Sequence, residues 1–266
     1  MGGQTGLCGA FDAAAADFMA LGRFLWEPIG AGAVSVADLR PGERVLDACC
    51  GAGASAIPAA RSVGRHGLVD AVDLSESMIG ELWWLSKDLP QLRAHRADVA
   101  RWSTGDYDVV QSVLGLSCFP DAAAGAEHLI SLARPGGRAV FTIWRDGAVQ
   151  EADRHLRRAI AQAIGVPPPQ GRTSRAPGGL GEAGVYAAWL RERGLVDVEV
   201  SVNPLALTMT PETAWLVITG SGLRAVLAKV PVHALEPVRE CYLASLREEG
   251  LAELDATTLI GSGRRS

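Results

Sequence analysis

Residues 40–55 read RPGERVLDACCGAGAS. Pro41-Gly42 makes a turn, Arg44 to Ala48 reads as a short buried strand, and Gly51 and Gly53 open a helix of about Ala54 to Ser62. Glycines at such a strand-to-helix turn let backbone N–H groups approach a ligand beside the positive end of a helix. Asp47 stands inside the apolar strand, where a carboxylate needs a partner.

Outward from this loop the pattern repeats. Leu68 to Val72 is a second strand, followed by Asp73 and a helix from about Ser75 to Lys87. A third strand, Leu92 to Ala97, ends at Asp98. A fourth, Tyr107 to Val113, leads to a helix of about Asp121 to Ala133, which Pro135-Gly136-Gly137 stops before a fifth strand, Arg138 to Trp144. Strands alternating with helices imply a parallel sheet covered on both faces, a doubly wound α/β fold. Beyond residue 150 the rhythm changes: a helix of about Glu151 to Ile164, a Pro/Gly-rich stretch VPPPQGRTSRAPGG, a helix Glu182 to Arg193 closed by Gly194, and alternating Val196, Val198 and Val200. Thr210-Pro211-Glu212 starts a further helix, Val238, Cys241, Tyr242 and Leu246 mark another, and Ala256 to Gly261 reads as the final strand. The expected organisation is an N-terminal helical lid (1–38), a core (39–150), and a C-terminal half of the same domain (151–266) with helices inserted before the last strands.

Composition narrows the class. The 266 residues are 48% apolar and 21% charged, which excludes a disordered chain, and a formal charge of -5 gives no general attraction to nucleic acid. No uncharged stretch approaches the ~18–20 residues of a membrane helix. Five cysteines, Cys8, Cys49, Cys50, Cys118 and Cys241, are odd in number and lack metal spacing, so a reducing cytoplasm is expected.

Taken alone, Gly51-Ala52-Gly53-Ala54-Ser55-Ala56 with Asp73 twenty residues after Gly53 also fits the dinucleotide pattern G-x-G-x-x-A of a nicotinamide-dependent oxidoreductase. The neighbouring segments speak differently. VLDACCGAG, VDAVDLSESMI, RADVARW, YDVVQSVLGLSCF and LARPGGRAVFTIW, in that order over residues 40 to 145, resemble the class I S-adenosylmethionine-dependent methyltransferases, especially the small-molecule group typified by ubiquinone/menaquinone-biosynthesis enzymes. The resemblance implies a seven-stranded, mainly parallel, Rossmann-like sheet with a reversed last strand, and S-adenosylmethionine laid across its C-terminal edge. It implies that Asp47 helps fix the methionyl amino group through the loop, that the backbone at Cys49 contributes, and that Gly51 and Gly53 leave room for methionine and ribose. Asp73 would accept both ribose hydroxyls, Leu74 and Met78 would pack on the adenine, Asp98 would take its amino group with Val99 supporting the ring, and Ser112 would sit beside the methionine. The family usually carries Gly or Ala where Cys49 stands. Read without the resemblance, Asp73 and Glu76 also fit a helix cap and its partner, and Asp98 an ordinary turn.

Methyl transfer from a sulfonium is an in-line displacement, so alignment in a dry pocket is the protein's main contribution. A base helps only where the acceptor holds its proton tightly, and among the histidines His155, just beyond the fifth strand, is the best-placed candidate. SVLGLSCFPD lacks the Asn/Asp-Pro-Pro-aromatic run of base-amino methyltransferases, and Ser112, Val113 and Leu114 offer no carboxylate to a metal at the fourth-strand tip, so no metal is expected. Arg93, His95, Arg96 and Arg101 read as a solvated strand edge. Phe11, Phe18 and Trp26 before the core, Phe119 and Trp144 at strand ends, and Tyr186, Trp189 and Trp215 beyond them are candidates to enclose an apolar or aromatic small-molecule acceptor, with Phe11, Trp26, Phe119 and Trp144 foremost. Two other readings stay open: the oxidoreductase, and a cofactor-binding protein that transfers no methyl. The sequence leaves the acceptor and the oligomeric state undecided, a homodimer among the options.

Overall fold

A computed structural model describes residues 15–166, 179–228 and 230–266. Two helices, α1 (Ala15–Leu21) and α2 (Trp26–Ala37), precede β1 (Arg44–Ala48). Then follow α3 (Ala56–Val63), β2 (Leu68–Asp73), α4 (Glu76–Leu85), β3 (Leu92–Arg96), β4 (Tyr107–Val113), α5 (Ala122–Leu132) and β5 (Ala133–Trp144). The C-terminal part holds α6 (Gln150–Ile164), α7 (Ala183–Glu192), β6 (Leu195–Asn203), β7 (Ala206–Thr208), α8 (Pro211–Thr219), α9 (Arg224–Leu227), α10 (Leu235–Glu248), β8 (Glu253–Asp255) and β9 (Thr258–Arg265).

The large sheet has seven strands in the order β3-β2-β1-β4-β5-β9-β6. β1 to β5 are parallel, and β9 is antiparallel to both neighbours, β5 and β6. The expected doubly wound sheet with a reversed last strand is therefore present. One face packs Val45, Val69, Val109 and Val140 against α2, α3 and α4. The other packs Leu46, Val110, Phe141 and Leu259 against α5 and α7. Residues one apart on a strand point to opposite faces, which is why β1 can carry Val45 and Leu46 side by side and lose both to the core.

Two local readings change. β5 begins at Ala133, directly after α5, and the Pro135-Gly136-Gly137 turn is taken up in a register shift, since Tyr107 pairs with Ala133 but Val109 with Arg138. Asp73 is not a helix cap: Ser75 is, its Oγ accepting the Met78 N–H at 3.2 Å. Asp73 instead ends β2, one residue before the chain leaves the sheet.

A third apolar cluster lies off the sheet. Leu21, Leu25 and Ile29 from the N-terminal helices share it with Leu156 of α6, Val217 of α8 and Tyr242 of α10. The described N-terminal helices and helices α6, α8 and α10 thus build one helical layer, next to the C-terminal ends of the parallel strands. None of the described helices is long and apolar enough to cross a membrane.

Candidate active site

At the C-terminal edge of the parallel strands, between the sheet and this helical layer, lies an open cavity of about 1500 Å3, solvent space at its mouth included. This is where ligands bind in open α/β sheets, because the strand order reverses there and the loops diverge. Here β1 lies between β2 and β4, and the loops after β1, β2 and β4 form the walls.

Sequence-selected residues meet in its lining. Cys49, Gly51, Asp73, Leu74, Met78 and Asp98 line the cavity, and so does Val99. Asp73 Oδ2 accepts the Gly51 N–H at 2.9 Å and Oδ1 accepts the Ser75 N–H at 2.9 Å. Asp98 caps the short helical turn Val99–Arg101, accepting the Ala100 N–H at 3.0 Å, so the turn reading and the cavity position hold together.

Other selected residues stand behind the wall. Asp47 is fully buried, and its Oδ2 accepts from Ser55 Oγ at 2.7 Å and Gln111 Nε2 at 3.0 Å. Burial pushes its carboxyl up to about 7, against the pull of those two hydrogen bonds. Asp47 Oδ1 and Gln111 Oε1 have no hydrogen-bond partner among the described residues. Ser112 donates to the Ala48 carbonyl at 2.9 Å, pinning the end of β1 to β4. Gly53 has φ 95°, and a Cβ there would lie 2.4 Å from Leu82 Cδ1, so its smallness serves the packing of α4 on the loop. Its N–H is spent on Cys50 O at 3.0 Å. Gly51 differs: a Cβ on it would meet only the ring of Phe18, at 3.5 Å.

Aromatic and aliphatic side chains supply the rest of the lining. Phe18 and Trp26 stack with ring centroids 5.0 Å apart and planes 16° from parallel, and Phe119 and Trp144 complete an aromatic wall. Val217 and Leu223 close it from the helical layer. Phe11 lies outside the described residues. Tyr186 does not reach the cavity: it is buried against the sheet and donates to the Phe141 carbonyl at 2.9 Å. Trp189 carries the Arg193 guanidinium 4.3 Å from its ring centroid, and Trp215 packs 6.1 Å from Tyr242.

His155 is not a cavity residue. It sits fully buried on α6 against α10, with Nδ1 2.8 Å from Ser245 Oγ. Burial lowers its pKa, with Arg154 beside it adding to the effect. Glu151, His155 and Glu249 come close enough to share an ion, but Arg154 already bridges Glu151 and Glu249 at 2.5 and 2.6 Å. The basic residues near β3 are likewise paired, His95 with Asp70 at 2.8 Å, Arg96 with Glu76 at 2.6 Å and Arg101 with Asp98 at 3.7 Å.

Sequence reading missed Gly115 and the backbone strain. A Cβ on Gly115 would fall 2.4 Å from Ser112 Oγ and 2.6 Å from Cys49 Cβ. Cys49, Leu114 and Val149 all line the cavity in the left-handed region, at φ 57°, 60° and 54°. Such backbone costs ~1–3 kcal/mol per residue and clusters at functional sites. No residue-type signal marks it, since none of the three is glycine or asparagine.

Comparison with known proteins agrees with this geometry. Residues 45–137 match a family described as a methyltransferase domain. Aklanonic acid methyltransferase DauC of Streptomyces sp. (strain C5) is 29% identical over 164 residues, 58% of this chain and 73% of that protein. Nocamycin O-methyltransferase of Saccharothrix syringae is 32% identical over 136 residues, 50% of this chain and 49% of that one. The matched segment thus spans about half of the second relative's length. In fold, the YcgJ protein of Bacillus subtilis superposes with a TM-score of 0.58 at 14% identity, covering 90% of this chain and 97% of that one. Phosphoethanolamine N-methyltransferase 2 of Haemonchus contortus, solved with S-adenosyl-L-methionine, gives 0.53 at 16% identity, covering 89% of this chain and 52% of that one. A methyltransferase domain on the glycine-loop half of the sheet, together with these relatives, does not favour the oxidoreductase alternative. Over residues 45–137 the chain is thus similar to a methyltransferase domain, and over about half of its length to small-molecule methyltransferases.

Proposed function

We propose that the cavity carries out metal-independent methyl transfer from S-adenosylmethionine to a small, apolar or aromatic acceptor. One observation carries this reading: a single cavity is lined both by two carboxylates, Asp73 and Asp98, beside the glycine loop and by the uncharged aromatics Phe18, Trp26, Phe119 and Trp144. The residues present fit the cofactor. A carboxylate suits a sugar diol, the apolar side chains of Leu74, Met78 and Val99 suit a flat base, and Gly51 puts backbone on the cavity with no side chain of its own in the way.

In this reading Asp73 accepts the ribose hydroxyls, Asp98 takes the adenine amino group, and the backbone at Cys49 and Gly51 holds the methionine portion. Asp47, Gly53 and Ser112 act through the loop, by fixing where those groups stand. The bound cofactor supplies an electrophilic methyl group. The protein orients the acceptor against it and keeps water out, which is the larger part of the barrier reduction such a displacement needs. The N-terminal helices, with Phe18 and Trp26, act as the lid, and the segment around Val217 to Leu223 forms the acceptor wall. The fourth-strand tip, Ser112 to Leu114, offers no carboxylate oxygen to a hard cation. Two relatives whose names give small-molecule methylations support the acceptor class.

The test is calorimetric titration with S-adenosylhomocysteine, followed by incubation with labelled S-adenosylmethionine and a panel of phenols, quinols, amines and indoles. Saturable binding with label passing to a small acceptor is expected. Absence of binding at high micromolar ligand overturns the reading.

A further inference from the structure

Two thiols on the cavity wall come from different loops and touch. Cys49, after β1, and Cys118, after β4, both line the cavity and are partly exposed. The Cys49 thiol donates a hydrogen bond to Cys118 Sγ. The neighbouring Cys50 is buried, and its thiol donates to the Gly51 carbonyl at 3.5 Å.

Gly115 is what lets the two thiols meet. It opens the single 3-10 turn Gly115–Cys118, and in such a turn residues three apart lie one above the other. Cys118 therefore stands over Gly115, whose backbone lies against Cys49: a Cβ on Gly115 would fall 2.6 Å from Cys49 Cβ. Both loops are anchored to neighbouring strands. The Leu114 N–H donates to the Thr142 carbonyl at 3.0 Å, Ser117 Oγ to the Leu114 carbonyl at 3.0 Å, and the Cys50 N–H to the Val72 carbonyl at 3.2 Å. The sulfur contact is thus fixed through the sheet.

The hydrogen bond gives the two sulfurs different tasks. As its donor Cys49 is pushed up, and burial adds to the effect; as its acceptor Cys118 is pulled down, against burial. Negative charge therefore collects on Cys118, and the thiolate is the nucleophile of sulfur chemistry. Cys49 holds the second sulfur beside it.

We infer that Cys49 and Cys118 are a redox-active dithiol that a hydroperoxide closes to a disulfide, and that the closed form holds the S-adenosyl ligand more weakly. The first half rests on the two loops alone. The second rests on the function proposed above, in which the backbone at Cys49 and Gly51 holds the methionine portion. The Cys118 sulfur attacks a peroxide oxygen, the O–O bond breaks, and an alcohol, or water from hydrogen peroxide, leaves with the proton that Cys118 gave up; a sulfenic acid remains. The Cys49 sulfur then attacks that sulfur, its S–O bond breaks, and hydroxide departs as water with the Cys49 proton. Two thiols lose two electrons and two protons, and the peroxide takes them up. Closing brings the sulfurs from hydrogen-bond contact to a bond of ~2.05 Å. Because Gly115 already lies against Cys49, the left-handed Cys49 backbone, φ 57°, must shift, and the groups it presents to the cavity shift with it.

The test treats the reduced protein with hydrogen peroxide, digests it without reduction, and fragments the crosslinked peptides between Cys49 and Cys50. A Cys49–Cys118 bridge is expected in the wild type and in Cys241→Ser, and dithiothreitol should remove it. Calorimetry should give an affinity for S-adenosylhomocysteine about tenfold lower in the bridged protein, restored by reduction, and unaffected by peroxide in Cys118→Ser and Cys118→Ala. A bridge through any other cysteine, oxidation to sulfinic or sulfonic acid without a bridge, or equal affinity in the reduced and bridged protein each overturns the inference. A reduced protein that forms the Cys49–Cys118 bridge yet binds no S-adenosylhomocysteine overturns the proposed function, and the weaker binding with it, and upholds the dithiol.

Discussion

Asp73 Oδ2 accepts the Gly51 N–H at 2.9 Å, tying the end of β2 to the glycine loop that leaves β1. The other oxygen, at 2.9 Å from the Ser75 N–H, steadies the start of α4. One carboxylate therefore holds two loops while facing the cavity. Asp73→Asn keeps the shape and one acceptor oxygen but loses the charge. Charge-assisted hydrogen bonds contribute about 1.5–3 kcal/mol, so affinity for S-adenosylhomocysteine should fall about 10- to 100-fold. Calorimetry checks this, and undiminished affinity removes Asp73 from the binding set.

Asp47 predicts a pH dependence of stability. Its carboxyl is raised from 3.8 to about 7 by burial, so between those values the folded state binds more protons than the unfolded one. Stability from this group is present at low pH and is lost as pH rises toward 7, by on the order of 3 kcal/mol between pH 4 and pH 8. Asp47→Asn cannot ionise, and its amide can donate to Gln111 Oε1, which lacks a partner. The Tm of the variant minus that of the wild type should grow from pH 5 to pH 8; a constant difference contradicts the raised value.

His155 should matter to folding and not to binding. Its pKa is lowered by burial, so the neutral ring is favoured in the folded state and stability is lost as pH falls below the ordinary histidine value of 6.5. His155→Ala leaves a cavity between α6 and α10 and removes the hydrogen bond to Ser245 Oγ, which still donates to the Tyr242 carbonyl; the loss costs about 1–3 kcal/mol. Urea denaturation should show that loss together with a weaker acid dependence, while the affinity for S-adenosylhomocysteine stays at the wild-type value.

Gly115→Ala tests the crowded junction of the first and fourth strands. Its new methyl group would meet Ser112 Oγ at 2.4 Å and Cys49 Cβ at 2.6 Å, so either the loop after β4 or the Cys49 backbone must move. Overpacking of this kind costs ~1–3 kcal/mol. Both Tm and cofactor affinity should fall, whereas Gly136→Ala, in an open turn where an added Cβ meets nothing within 4 Å among the described residues, should lower only Tm, through its φ of 71°.

Much of this was legible in one dimension. A buried β1, an acid at the end of β2 and another after β3 follow from local pattern, because side-chain period and turn residues act over a few positions. Asp47 announced its need for partners by standing in an apolar strand. What local pattern alone did not show is which acids face the cavity and which stand behind it: the resemblance gave Asp47 a role through the loop and Asp73 a direct one, and the structure seals the first under α3 and opens the second on the cavity. The aromatics divided in the same way, Phe119 and Trp144 to the wall, Tyr186 to the core.

The amino-acid sequence by itself determined the alternation of strands and helices, the glycine turn and the resemblance to methyltransferases, since these rest on short-range periodicity and on segments in fixed order. Tertiary structure alone decided that His155 turns away from the cavity and that Cys49, Leu114 and Val149 bear left-handed backbone around it. The physical reason is that burial and strain depend on how distant elements pack, a property that no window of neighbouring residues contains.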